Sequence, residues 1–312
     1  MKKLLTLLYI LMLCACNGQT TAISESTVTV LVLGTIQDAG SPHIGCKKTC
    51  CSKLFQNPDF DRKVVSLGVI DHEHEKTYLF EATPDMPAQL KLLKEHAQIA
   101  SETPSGIFVT HAHIGHYTGL MYLGREALGA QNVPVYAMPK MKSFIENNGP
   151  WSQLVNLENI ELKGLQHNEE VKLTSNVTVI PFLVPHRDEF SETVGYKIIG
   201  PNKSILFIPD INKWSKWDIN IIDEIKDVDF AFLDATFYDG AELNNRDISE
   251  IPHPFIIESL ELFKKLSKAE KDKIHFIHFN HTNPVLNEES RQTSTVLNQG
   301  FHIAQFGQRI RL

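Results

Sequence analysis

From residue 28 onward, short β-branched and aromatic runs alternate with stretches whose apolar residues recur at three-and-four spacing, and no repeat period is visible. The runs at 28–33, 64–70, 77–81, 107–110, 133–137, 171–173, 177–183, 193–198, 204–208, 230–233, 274–279 and 302–305 predict strands. Helical spacing predicts helices at 86–99, 118–129, 141–147, 219–225, 254–266 and 287–297. No Pro/Gly/Ser-rich linker divides this body, so it reads as one α/β domain over 28–312. Strands clustered in succession with helices interspersed suit two sheets packed face to face with helices outside.

The pattern before residue 28 is of another kind. Lys2 and Lys3 precede an apolar run at 4–13 that is too short to cross a bilayer and has the charged-then-apolar order of an export signal. Leu13-Cys14-Ala15-Cys16 resembles the bacterial lipoprotein cleavage box. That resemblance implies a signal peptide at 1–15, a lipid on Cys16, and an exported lipoprotein anchored to a membrane of the bacterial cell envelope. The small polar residues up to Thr27 then read as a flexible spacer, 16–27.

Composition narrows the partner. The chain is 42% hydrophobic and 21% charged, as soluble globular proteins are, and its 30 Lys+Arg against 37 Asp+Glu give a net charge of −7. No global basic field exists to hold a nucleic-acid backbone, so a small-molecule substrate is expected and a nucleic acid is not.

The chemistry concentrates in Thr110-His111-Ala112-His113-Ile114-Gly115-His116, directly after an apolar strand. A strand running into a tight turn and then a helix can aim three imidazoles at one small volume, and neutral imidazole is a favoured zinc ligand. His-x-His-x-x-His after a strand resembles the second motif of the metallo-β-lactamase superfamily, whose fuller form carries Asp where this chain has Gly115. The likeness continues in the family's order. Leu79-Phe80-Glu81-Ala82-Thr83-Pro84-Asp85 resembles the first motif, with Glu81 supporting the ligand loop; Pro185-His186, Asp210 and Ile277-His278-Phe279-Asn280 resemble the third, fourth and fifth.

The resemblance implies a four-layered αββα sandwich, a first metal site of His111, His113, His186 and Asp210, and a second of His116, His278 and Asp210. The second site lacks its family carboxylate at Gly115, so it is expected to be weak, completed by water or substrate, or selective for a different metal. Zinc is expected in one or both sites, with Fe²⁺ or Mn²⁺ as the alternative. A metal-bound hydroxide would then hydrolyse a phosphodiester or other ester, with Asp210 orienting the water. His253, in Ile251-Pro252-His253-Pro254, is a further catalytic candidate, and Asp234, at a strand end, a candidate for substrate contact or support.

Cys46, Cys50 and Cys51 bunch in one loop. By resemblance to the superfamily's cyclic phosphodiesterase branch, they and His281 would hold a structural zinc; free thiols or a disulfide are the alternatives. The segments 114–120, 133–136 and 278–284 look most like the coenzyme PQQ biosynthesis protein B branch. A hydrolase is the first reading, because the His111-x-His113 pair is complete. An iron oxygenase of the PQQ branch and a non-catalytic, lipid-anchored binding protein of the same fold are the alternatives.

Overall fold

A computed structural model describes residues 27–243 and 250–312. The expected signal peptide, Cys16 and nearly all of the expected spacer lie outside the described residues, as do 244–249 of the loop before His253. Six strands come first: β1 (Val28–Gly34), β2 (Ser66–Asp71), β3 (Lys76–Phe80), β4 (Gly106–Phe108), β5 (Val133–Ala137) and β6 (Ile160–Gly164). Seven follow: β7 (Val171–Lys172), β8 (Thr178–Leu183), β9 (Val194–Ile199), β10 (Ser204–Ile208), β11 (Phe230–Asp234), β12 (Ile274–Ile277) and β13 (His302–Ile303); β14 (Arg309–Arg311) then returns to the first group. The sheets run β14-β1-β2-β3-β4-β5-β6 and β13-β12-β11-β10-β9-β8-β7.

Alternation along each central strand sorts its side chains into two cores. Val28, Val30 and Val32 of β1 enter the layer between the sheets, with Tyr78, Phe80, Phe207, Phe232 and Ile277, whereas Leu31 and Leu33 face the outer layer that the helix Met86–Ala97 covers. On the far side, Leu206, Ile208, Ala231, Leu233 and Phe276 meet Ile221, Ile225, Ile256, Leu260 and Phe263 from the helices Ile221–Lys226 and Ile256–Phe263. Both faces of each sheet are thus buried, which is why these strands read as nearly continuous apolar runs. The architecture is the αββα sandwich.

The differences from expectation have local causes. The helix expected at 118–129 is instead a single turn, Ile114–Tyr117, followed by a 3-10 segment, Thr118–Leu123. Gly124 leaves in an extended conformation, and a Cβ at Gly119 would lie 2.1 Å from the Thr83 carbonyl, so this segment is shaped by close packing and not by helix propensity. The strands β6 and β14 were not expected. Both are short outer strands carrying charged residues (Glu161 and Lys163; Arg309 and Arg311), so neither shows a clean apolar run.

Strand direction, more than the number of layers, decides where functional loops can gather. From the pairings, β1, β3 and β4 run in one sense within the first sheet, and β8, β10, β11 and β12 in one sense within the second. Bridges from Ile36 to both Val64 and Phe279 bring the two sheets' strand ends together. Loops leaving the carboxyl ends of such strands are where α/β folds build their sites.

Candidate metal centre

Seven side chains gather there, each just past or at the end of one of those seven strands: Asp38 after β1, Glu81 after β3, His111 after β4, His186 after β8, Asp210 after β10, Asp234 closing β11 and His278 after β12. Two of these positions are strained. Glu81 (φ 77°) and His278 (φ 67°) sit in the left-handed region, which non-glycine residues seldom occupy. The strand expected to run to residue 279 ends at Ile277 because the backbone turns over at His278. Hydrogen bonds hold both turns: Glu81 N–H donates to the Phe108 carbonyl (2.8 Å), and Phe279 N–H to the Thr35 carbonyl (2.8 Å).

The first expected metal site is assembled. His111 Nε2 lies 2.8 Å from His113 Nδ1 and 3.3 Å from Asp210 Oδ2, and His186 Nε2 lies 3.3 Å from the same oxygen. The other ring nitrogens are engaged elsewhere, His111 Nδ1 with Thr110 Oγ1 (2.8 Å) and His186 Nδ1 with Asn212 Oδ1 (3.3 Å). His186 Nε2 is buried without a hydrogen-bond partner. Lone pairs of imidazole and carboxylate converging in a dry interior repel unless a cation lies among them, so this donor set fits a divalent metal ion. Tyr196, fully buried, donates from Oη to the Val109 carbonyl (2.6 Å) and so ties the second sheet to the strand end that carries His111.

The second expected site holds His116, His278 and Asp210, and also a residue the sequence did not point to. His116 Nε2 lies 2.8 Å and His278 Nε2 3.3 Å from Asp38 Oδ1, and His116 Nε2 is 3.8 Å from Asp210 Oδ2. The family carboxylate is absent at Gly115, as the sequence reads, and Asp38 brings a carboxylate to the same two histidines from another loop. Glu81 takes the expected supporting place, with Oε2 3.4 Å from His116 Nδ1. Burial opposes a charge on His116, yet Asp38 and Glu81 hold its imidazole well above the usual range, a charge demand that a bound cation would meet instead. Burial and the neighbouring His116 hold His111 well below it.

Behind both sites lies Asp234, entirely buried and fully hydrogen-bonded. Its Oδ1 accepts from Thr236 N–H (3.0 Å) and Oγ1 (2.7 Å), its Oδ2 from Ile211 N–H (3.1 Å) and His253 Nδ1 (2.8 Å). Those bonds make it a support, not a substrate contact. His253 Nδ1 is also 3.1 Å from Asp210 Oδ1, so that ring edge faces two carboxylates. Although burial works against the charge, Asp234 and Asp210 raise His253 to about 10. His113, Asp38 and His253 keep side-chain exposures of 16%, 12% and 9%, while His111, His116, His186, His278 and Asp210 are sealed. Solvent reaches the centre over these three groups.

The cysteine loop gathers beside it. Donor atoms of Cys46, Cys51 and His281 lie within 4.8 Å of one another, and all three thiols are free. Cys50 is not in that set, although its Sγ is 3.7 Å from Cys46 and 4.0 Å from Cys51. Cys50 and Cys51 are neighbours on the one-turn helix Thr49–Ser52, and the three sulfurs lie together, with Cys51 the buried one. His43 stacks on His281 at 4.5 Å and donates its N–H to Cys51 Sγ.

A family model described as "Beta-lactamase superfamily domain" matches residues 76–279. Among curated proteins, "Coenzyme PQQ synthesis protein B" of Methylorubrum extorquens is 22% identical over 305 residues, covering 89% of this chain and 98% of its own, and that of Methylococcus capsulatus 23% over 316 residues, covering 91% and 99%. Among solved structures, Zn²⁺-bound PqqB from Methylobacterium extorquens superposes with TM-score 0.73 at 21% identity over 91% of this chain and 100% of its own. A diphosphatase of the PhnP family gives 0.62 at 23%, covering 91% and 96%.

Proposed function

The chain belongs to the metallo-β-lactamase superfamily, and from that premise we propose that it is a metal-dependent hydrolase acting on a phosphodiester or related ester of a small molecule. The observation that carries the reading is the complete donor set of His111, His113, His186 and Asp210, converging on one point beneath the exposed edge of His113. When bound, a divalent ion supplies a water of near-neutral pKa and draws charge from the substrate oxygen. Asp210 spans the two donor groups through one oxygen and meets His253 through the other, so it fixes the centre and the imidazole together.

His253 is the proton donor in this reading. Its Nδ1–H is held between Asp234 and Asp210, which leaves Nε2 for the leaving-group oxygen, and the two carboxylates stabilise the protonated ring until it gives that proton up. Thr236 Oγ1 sits against both His253 Nδ1 (3.1 Å) and His278 Nδ1 (2.8 Å), fixing the rings relative to each other. A mixed panel of phosphodiesters, carboxylic esters and β-lactams tests the substrate class on the zinc-loaded full chain. Turnover of a phosphodiester that His111→Ala abolishes is the expected result. Turnover of β-lactams alone, or oxygen consumption without hydrolysis, overturns it.

A further inference from the structure

Gly115 marks the place where the family's motif carries a carboxylate, and the space that a side chain there would enter is filled. A Cβ built on Gly115 would lie 2.5 Å from Asp38 Cα and 2.8 Å from both Asp38 Cβ and Cγ, closer than Cβ atoms come to any heavy atom. The absent side chain and the present one compete for the same volume. We infer that Asp38 is a ligand of the second metal, delivered from the loop after β1 in place of the residue-115 carboxylate, so that the centre is dinuclear and the glycine is the condition for it. This rests on the metal-centre reading above and extends it to a residue outside the motif.

The placement of Asp38 is built, not incidental. Its loop is clamped on the strand end that carries His278: Phe279 N–H donates to the Thr35 carbonyl and Gln37 N–H to the Phe279 carbonyl, both at 2.8 Å. On the other side Thr35 and Ile36 N–H share the Lys63 carbonyl, each at 2.9 Å, and Gly40 (φ 73°) turns the chain away in open space. Asp38 is therefore fixed relative to His278 through the backbone and relative to His116 through the glycine contact. Its Oδ1 then lies 2.8 Å from His116 Nε2 and 3.3 Å from His278 Nε2. With Asp210 the set is two imidazoles and two carboxylates, which restores the negative charge that a glycine at 115 removes. Its oxygen content also makes it the harder of the two sites, suited to zinc, manganese or iron.

The test is zinc content of the full chain after dialysis against zinc alone, with thermal unfolding to confirm folding. Asp38→Asn keeps the shape and removes the charge; it is expected to hold one zinc ion fewer per chain than the unsubstituted protein. Gly115→Ala adds no donor and removes none, yet its methyl drives the Asp38 backbone out, so it is expected to lose the same ion. Full zinc content in Asp38→Asn and Gly115→Ala, with an ion lost in His116→Ala, overturns the assignment of Asp38 and leaves the metal centre standing. Unchanged zinc content in both His111→Ala and His116→Ala overturns the centre and the assignment together.

Discussion

Replacing His253 by Gln removes the only proton that the proposed reaction delivers to its leaving group, while Gln keeps an amide near Asp234. The structure sets the scale. His253 Nδ1 makes contacts of 2.8 Å to Asp234 Oδ2 and 3.1 Å to Asp210 Oδ1, and both carboxylates are buried. A positioned general acid contributes about 10²–10⁴-fold, or about 3–5.5 kcal/mol of barrier. That contribution depends on how poorly the leaving group departs unaided. Measured as kcat on paired phosphodiesters, one releasing an alkoxide and one releasing p-nitrophenolate, His253→Gln is expected to lose about 100-fold or more on the first and less than about tenfold on the second. Metal content must remain that of the unsubstituted chain. Equal losses on both substrates, or full activity on the alkyl ester, refute the assignment of His253 as proton donor.

Other consequences are read more simply. Cys51→Ser is expected to remove the zinc ion that Cys46, Cys51 and His281 would hold and, at zinc about 100-fold above Kd, to lower stability by about 2.7 kcal/mol, seen as zinc content and denaturant midpoint together. Glu81→Gln, which leaves His116 Nδ1 without its carboxylate, is expected to weaken metal binding about 10–100-fold in a chelator competition. His275, buried between Phe232 and His302, is pushed down to about 4 by burial and then by His302. Its unfolded-state value is about 6.5, so the unfolded chain takes up the proton first as pH falls. The neutral ring therefore contributes stability fully above pH about 6.5 that drains away toward pH 4, by up to about 3 kcal/mol. Unfolding free energies of His275→Phe are expected to fall less steeply across that window, and an unchanged slope would exclude His275 as its source.

Much of this was legible in the chain, for reasons particular residues make plain. Strands such as Val133–Ala137 and Ser204–Ile208 lie where the apolar runs placed them, because burial on both faces leaves little room for polar residues. The donors His111, His113, His116, His186, Asp210 and His278 were visible because each directly follows an apolar run or a turn signal, and the structure brings them together. Asp38 was not. It lies in Gln37-Asp38-Ala39-Gly40, with no second ligand type beside it, and what identifies it is a packing relation to Gly115, distant in sequence. The 3-10 segment after His116 escaped for the same kind of reason, since its shape comes from the approach of Gly119 to the Thr83 carbonyl.

The most direct test of the hydrolase assignment strips the full chain with a chelator, confirms by elemental analysis that the histidine centre has lost its metal, and follows phosphodiester hydrolysis as zinc or manganese is returned. The account predicts that turnover disappears on stripping and returns in proportion to metal at the centre, and that His111→Ala does not recover. Hydrolysis that continues in the stripped chain, or a fully loaded centre that hydrolyses no phosphodiester, would contradict it.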